Sequence, residues 1–99
     1  MARTYETAFI LNAGLDDAAI EQQLGKIDEL VAGEGGSVKQ WEKWGKRRLS
    51  FEIKKQTEGF YAFLTFEGEP EIVAALDTTY RLDENIIRHM TLVKDEAAE

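Results

Sequence analysis

Residues Trp41 to Lys55 hold the side chains best suited to chemistry in this chain. Between Lys39 and Lys55 lie seven bases, Lys39, Lys43, Lys46, Arg47, Arg48, Lys54 and Lys55, against two acids, Glu42 and Glu52. The rest of the sequence is strongly acidic, and the whole carries a formal charge of −7. Arg47 and Arg48 bring planar guanidinium forks that suit phosphate oxygens and guanine edges, and Trp41 and Trp44 can stack on bases or wedge into a partner. The plainer alternative for such a run is a solvated strand edge whose lysines block edge-to-edge association. The aromatic interleaving favours contact with a nucleic acid or a partner. A basic segment on an acidic body also disfavours indiscriminate coating of nucleic acid and favours docking in one orientation.

Other chemistries find little support. The chain has no cysteine and a single histidine, so thiolate metal sites, disulfides and histidine ligand clusters are excluded. His89 lies in a strand-like run with no nucleophile beside it, and a structural or RNA-facing role suits it better than general base. The glycines punctuate turns and form no phosphate-loop spacing. No cofactor is implied. No apolar run approaches the roughly 20 residues of a membrane span, and no leader-like segment opens the sequence, so a soluble cytoplasmic protein is expected.

The elements that must position the basic segment follow from periodicity. Arg3 to Leu11 is rich in aromatic and β-branched residues and reads as a strand ended by Asn12-Ala13-Gly14. Asp16 is an N-cap candidate, Leu15 a staple to Ile20, and Ile20, Leu24, Ile27 and Val31 form one apolar stripe ending at Gly33. A long strand runs from Ser37 to about Lys54, with a bend or bulge at Gly45 and with Leu49, Phe51 and Ile53 sharing a core-directed face. Lys55 to Gly59 reads as the hairpin loop and Phe60 to Phe66 as the third strand. Pro70 opens a second helix with stripe Ile72, Leu76 and Thr79 or Tyr80, and Asp83-Glu84-Asn85 turns into a last strand, Ile86 to Val93. Residues 1–94 form one domain, and the acidic tail 95–99 is expected to fray.

The order is β-α-β-β-α-β, an α+β split β-α-β arrangement with a four-stranded antiparallel sheet and both helices on one face. The other face is left uncovered. Strands one and three are apolar on both sides, so an open face carrying Ile10, Tyr61 or Phe60, and Phe63 or Leu64 predicts a partner-binding patch. Ile10, Tyr61 and Phe63, with Trp41 and Trp44, are the expected protein contacts.

Gly45-Lys46-Arg47-Arg48-Leu49-Ser50-Phe51-Glu52-Ile53-Lys54 resembles the signature of the bacterial small-subunit ribosomal protein number six family. The likeness extends along almost the whole chain, through Tyr5-Glu6, Leu11-Asn12, Gly36-Ser37-Val38, Trp44, Gly59-Phe60-Tyr61 and Asp83 to Met90. Phe51 stands where that family usually has Tyr, and the tail is short. The resemblance implies a ferredoxin-like fold, no enzymatic activity, and assembly into the platform of the small subunit. It also implies binding of small-subunit ribosomal RNA as a heterodimer with ribosomal protein number eighteen, with Arg3, Lys46, Arg47, Arg48 and Arg88 as the RNA contacts. Two alternatives remain. Gly59 to Phe66 with Phe9 to Asn12 also resembles the paired signatures of RNA-recognition-motif domains, in which sheet aromatics stack bases, although Glu58 stands where that family has a base and the aromatic spacing is disturbed. A small ferredoxin-like enzyme or ligand-sensing domain is the third.

Overall fold

β1 (Arg3–Asn12) is the strand around which the sheet is built. Its residues alternate strictly, with Tyr5, Thr7, Phe9 and Leu11 buried and their neighbours turned to the opposite face. β1 pairs antiparallel with β3 (Gln56–Gly68) on one side and β4 (Ile86–Val93) on the other, and β2 (Ser37–Ile53) adds to the far edge of β3, giving the order β2-β3-β1-β4. α1 (Asp17–Gly33) and α2 (Pro70–Leu82) cover one face, so the ferredoxin-like β-α-β-β-α-β arrangement is the one expected. This computed structural model describes residues 3–53 and 55–94. The tail 95–99 and Lys54 lie outside the described residues. Among those described, no helix is long and apolar enough to cross a membrane.

The helices form where their caps and stripes put them. Asp16 Oδ1 accepts from the Ala19 backbone N–H at 2.8 Å, satisfying one of the unpaired amides of the first turn of α1. Ile20, Leu24, Ile27 and Val31 are all buried, and in α2 the stripe is Ile72, Leu76 and Tyr80, with Tyr80 rather than Thr79 entering the core. Phe9 sits at the centre, its ring 5.4 Å from that of Tyr80 and 6.0 Å from that of Trp41, the latter edge-on.

One polar chain crosses this core. Thr7 Oγ1 lies 2.7 Å from the Tyr80 hydroxyl and 2.9 Å from Thr91 Oγ1, so three buried or half-buried hydroxyls satisfy one another. Burial pushes the Tyr80 phenol up, well above the ordinary tyrosine range, while the Thr7 hydrogen bond acts in the other direction. Below about pH 10 folded and unfolded chains both keep the phenol proton. Above it the unfolded chain releases the proton and the folded chain retains it, so stability falls with rising pH by up to about 1.4 kcal/mol per pH unit. Melting curves between pH 9 and pH 11 are expected to shift more for the parent chain than for Tyr80→Phe; equal slopes would show that Tyr80 is not the group responsible.

Two expectations about the β2–β3 hairpin need correction. Lys55 to Gly59 does not form a loop: Gln56 lies opposite Ile53 and opens β3, with Lys55 at φ 65° in the reversal. The polar residues 56–58 are strand residues that project beyond the rest of the sheet, where no core asks for apolar side chains. Nor are Leu49, Phe51 and Ile53 part of the main core. Leu49 is only 7% exposed but is buried outside the main apolar cluster, Ile53 is half-buried, and Phe51 is 64% exposed.

Candidate RNA and partner interface

Gly45 decides which side chains of the basic segment share a face. The β2–β3 register shifts between Lys43 and Gly45, and Gly45 adopts φ +81°, a left-handed conformation that a residue with a Cβ resists. The extra residue changes the phase of the alternation, so Trp44 and Arg47, three positions apart, end on the same open face. The Trp44 ring lies 4.7 Å from Phe63 and 6.1 Å from Tyr61, and its Nε1–H donates to Glu42 at 3.0 Å. The Arg47 guanidinium stands 5.1 Å from the centre of the Trp44 ring, a cation–π contact.

Beside this stack, Ile10, Tyr61, Phe63, Arg88, Met90 and Ala8 line a hollow of about 150 Å³. A second, of about 220 Å³, lies between Ile10, Tyr61, Arg88 and the Leu49, Phe51 and Ile53 side chains. Met90 and Leu92, each more than half exposed, carry the apolar band to the β4 edge. Gly59 permits this packing, since a Cβ there would meet Ile10 Cγ2 at 2.2 Å. Four of the five expected partner contacts, Ile10, Trp44, Tyr61 and Phe63, are thus brought together.

Trp41 is the fifth, and the structure separates it from them. It lies opposite Leu64 on the helix-covered face, packs against the core, and donates from Nε1 to Asp28 Oδ1 of α1 at 2.9 Å. Trp41 and Trp44 are three residues apart with regular alternation between them, and that spacing puts them on opposite faces.

The expected RNA contacts divide in the same way. Arg47 lies opposite Gly59 and Arg88 opposite Ile10, both on the open face. Lys46 lies opposite Phe60 and Arg48 opposite Glu58, which sends them to the other side of β2. The adjacent arginines therefore point apart, at the same end of the sheet. Arg3 pairs with Gly68 at the other end, roughly 23 Å from Ile10 at the rise of an extended strand.

Ion pairing sorts the bases further. Lys26 pairs with Asp83, Lys39 with Glu67, Lys43 with Glu21, Arg81 with Asp77, and Lys94 with Glu6. Among the described residues Arg3, Lys46, Arg47, Arg48, Lys55 and Arg88 form no ion pair. These are the five expected contacts together with Lys55, whose place in the same basic run was the available signal.

His89 faces α2, its ring 5.0 Å from Tyr80 and its Nδ1 3.7 Å from Asp77. A hydrogen bond from Arg81 is the main cause holding the Asp77 carboxyl below its ordinary range. This cluster ties α2 to β4 and has no nucleophile at hand. No group of His, Asp and Glu side chains among the described residues could hold a metal ion.

Comparison with known proteins agrees with this fold. The family described as ribosomal protein S6 matches residues 4–93. Small ribosomal subunit protein bS6 of Clostridium botulinum (strain 657 / Type Ba4) is 37% identical over 93 residues, which cover 94% of this chain and 99% of that protein. The protein of the same name from Clostridium kluyveri is 38% identical over 92 residues, covering 93% of this chain and 96% of that one. A crystal structure of 30S ribosomal protein S6 from Thermotoga maritima is similar with a TM-score of 0.90 at 26% identity, covering 95% of this chain and 89% of that chain. With the family pattern spanning nearly every described residue and the whole sheet and helix order in common, the chain belongs to the ribosomal protein S6 family.

Proposed function

We propose that this chain holds small-subunit ribosomal RNA jointly with ribosomal protein number eighteen, which covers the open face of the sheet. Family membership makes it a structural, non-enzymatic constituent of the small subunit of the cytoplasmic ribosome. The observation that carries the finer reading is the partition of the bases. Among the described residues, the side chains expected to touch RNA are all left without carboxylate partners, as is Lys55, and all but Arg3 gather at one end of the sheet. Contacts to phosphate fix register and orientation, and the acidic remainder of the chain opposes other orientations. Two to five neutralised phosphates correspond to a log-affinity slope of about −2 to −5 against log salt, so the chain alone binds weakly and the partner supplies the remainder. The apolar band of Ile10, Trp44, Tyr61 and Phe63 is the surface proposed for that partner. Trp44 lies across the rings of Phe63 and Tyr61, where a stacked base would have to sit, which weighs against a free-standing RNA-recognition module.

Arg47→Ala combined with Arg48→Ala tests the reading. The double variant is expected to fold normally, to make the salt slope shallower by about 2, and to lose to the parent chain in competition for assembly into small subunits. Equal incorporation would sink the proposal.

A further inference from the structure

Phe51 borders the hollow of about 220 Å³ beside Ile10 and Tyr61 yet keeps most of its surface uncovered. Phe51 is 64% exposed at the end of the β2–β3 hairpin, where four residues of β2, Leu49 to Glu52, face one of β3, Thr57, between the pairs Arg48 with Glu58 and Ile53 with Gln56. Beside it lies a depression of about 410 Å³ lined by Arg48, Leu49, Phe51, Glu52, Thr57 and Glu58. Arg48 and Glu58 are register partners, yet among the described residues they form no ion pair with each other or with any other group. A guanidinium and two carboxylates that form no ion pair among the described residues, and an aromatic face, therefore stand around one cavity.

We infer that this depression receives an unpaired RNA base, guanine in preference to the others, stacked on Phe51. An exposed aromatic ring stacks on any base, and Arg48, with Lys46 on the same side of β2 and Lys55 in the hairpin reversal, can meet the flanking phosphates. Carboxylates repel phosphate, so Glu52 and Glu58 in a basic neighbourhood select instead for N–H donors. Guanine presents two adjacent donors on its pairing edge, N1–H and the N2 amino group, which a carboxylate accepts together. An apolar protein surface over the same cavity would leave Arg48, Glu52 and Glu58 buried without partners.

The inference rests on the RNA-binding reading above, and the test separates the two. The full chain is titrated with the single-stranded RNAs UUUUUU and UUGUUU, following Phe51 ring protons by NMR, which reads weak binding. Upfield shifts of those protons are expected, with UUGUUU binding about tenfold more tightly. Phe51→Leu should lose about tenfold, Phe51→Trp should restore it, and the melting midpoint should stay put because the ring is exposed. Glu52→Ala with Glu58→Ala should bring the affinity ratio of the two RNAs to one while binding UUUUUU no more weakly. Unmoved Phe51 protons at saturation, or unchanged affinity in Phe51→Leu, would overturn the stacking site, and equal affinity of the parent chain for the two RNAs would overturn the guanine assignment. In complex with the partner protein and a ribosomal RNA fragment, loss of affinity in Arg47→Ala/Arg48→Ala but not in Phe51→Leu defeats this inference alone; loss in neither defeats the RNA reading itself.

Discussion

Phe9→Ala will remove about 3–5 kcal/mol of folding stability, the range found when a buried aromatic ring is cut back to a methyl group. A domain of this size has about 5–15 kcal/mol in all, so the variant will be marginal or unfolded at room temperature. The ring is 1% exposed on the central strand, with Tyr80 against it from α2 and Trp41 from β2. Its removal therefore opens a void where β1, β2 and α2 meet, and Trp41 is held in place by its bond to Asp28 rather than free to fill the space. Urea denaturation measures the effect, with Phe9→Leu as a control expected to cost less. A Phe9→Ala unfolding free energy within about 1 kcal/mol of the parent's would mean that the core repacks around the loss, contrary to the close packing of protein interiors.

Phe63→Asp carries the largest expected effect on association. Phe63 is half-buried on the open face, in contact with Trp44 and at the edge of the hollow shared by Ile10 and Met90. An aspartate there would replace an apolar ring with a charge that must be desolvated under an apolar partner. A loss of at least about 2 kcal/mol, or about 30-fold in affinity for the partner protein, is expected from removing an aromatic anchor at the centre of an interface. Arg48→Ala, on the other side of β2, should change that affinity little. Isothermal titration with the purified partner in the absence of RNA separates the two. Phe63→Ala serves as the second variant should the aspartate disturb folding. Parent-like affinity in both would move the partner to another surface.

The sequence made the elements readable because their signals are local. Asp16 caps where its side chain accepts an amide, the Ile20 to Val31 stripe has a single period, and Pro70 can only start a helix. The open face was readable because β1 and β3 are apolar on both sides. What local pattern cannot supply is register across an irregular edge strand. The bend or bulge at Gly45 is readable in the sequence, but which side chains it brings together is set by the pairing with Tyr61, which joins Arg47 to Trp44 while leaving Trp41 on the core side. Likewise, Leu49, Phe51 and Ile53 alternate as a core strand would, yet the core ends before they begin. The adjacency of Arg47 and Arg48 in sequence suggested one site, whereas extended backbone turns neighbouring side chains to opposite faces. The free state of the bases depends on which acids the fold brings near, as with Lys43 and Glu21, and no sequence spacing records it.

The sheet order has a consequence for how such a chain is made. β1 is synthesised first but sits between two strands made later, and its second neighbour is residues 86–93. While translation is short of Ile86, one side of β1 has no ladder, and Thr7 lacks the Thr91 end of its hydroxyl chain. Contacts between residues so distant in sequence form slowly, and an unpaired strand edge is a template for other chains. A nascent chain stalled in α2 would therefore expose one edge of its central strand to its neighbours on the same messenger. The window closes only when β4 emerges, so a component of the translation machinery is most open to wrong pairing while its own translation is unfinished.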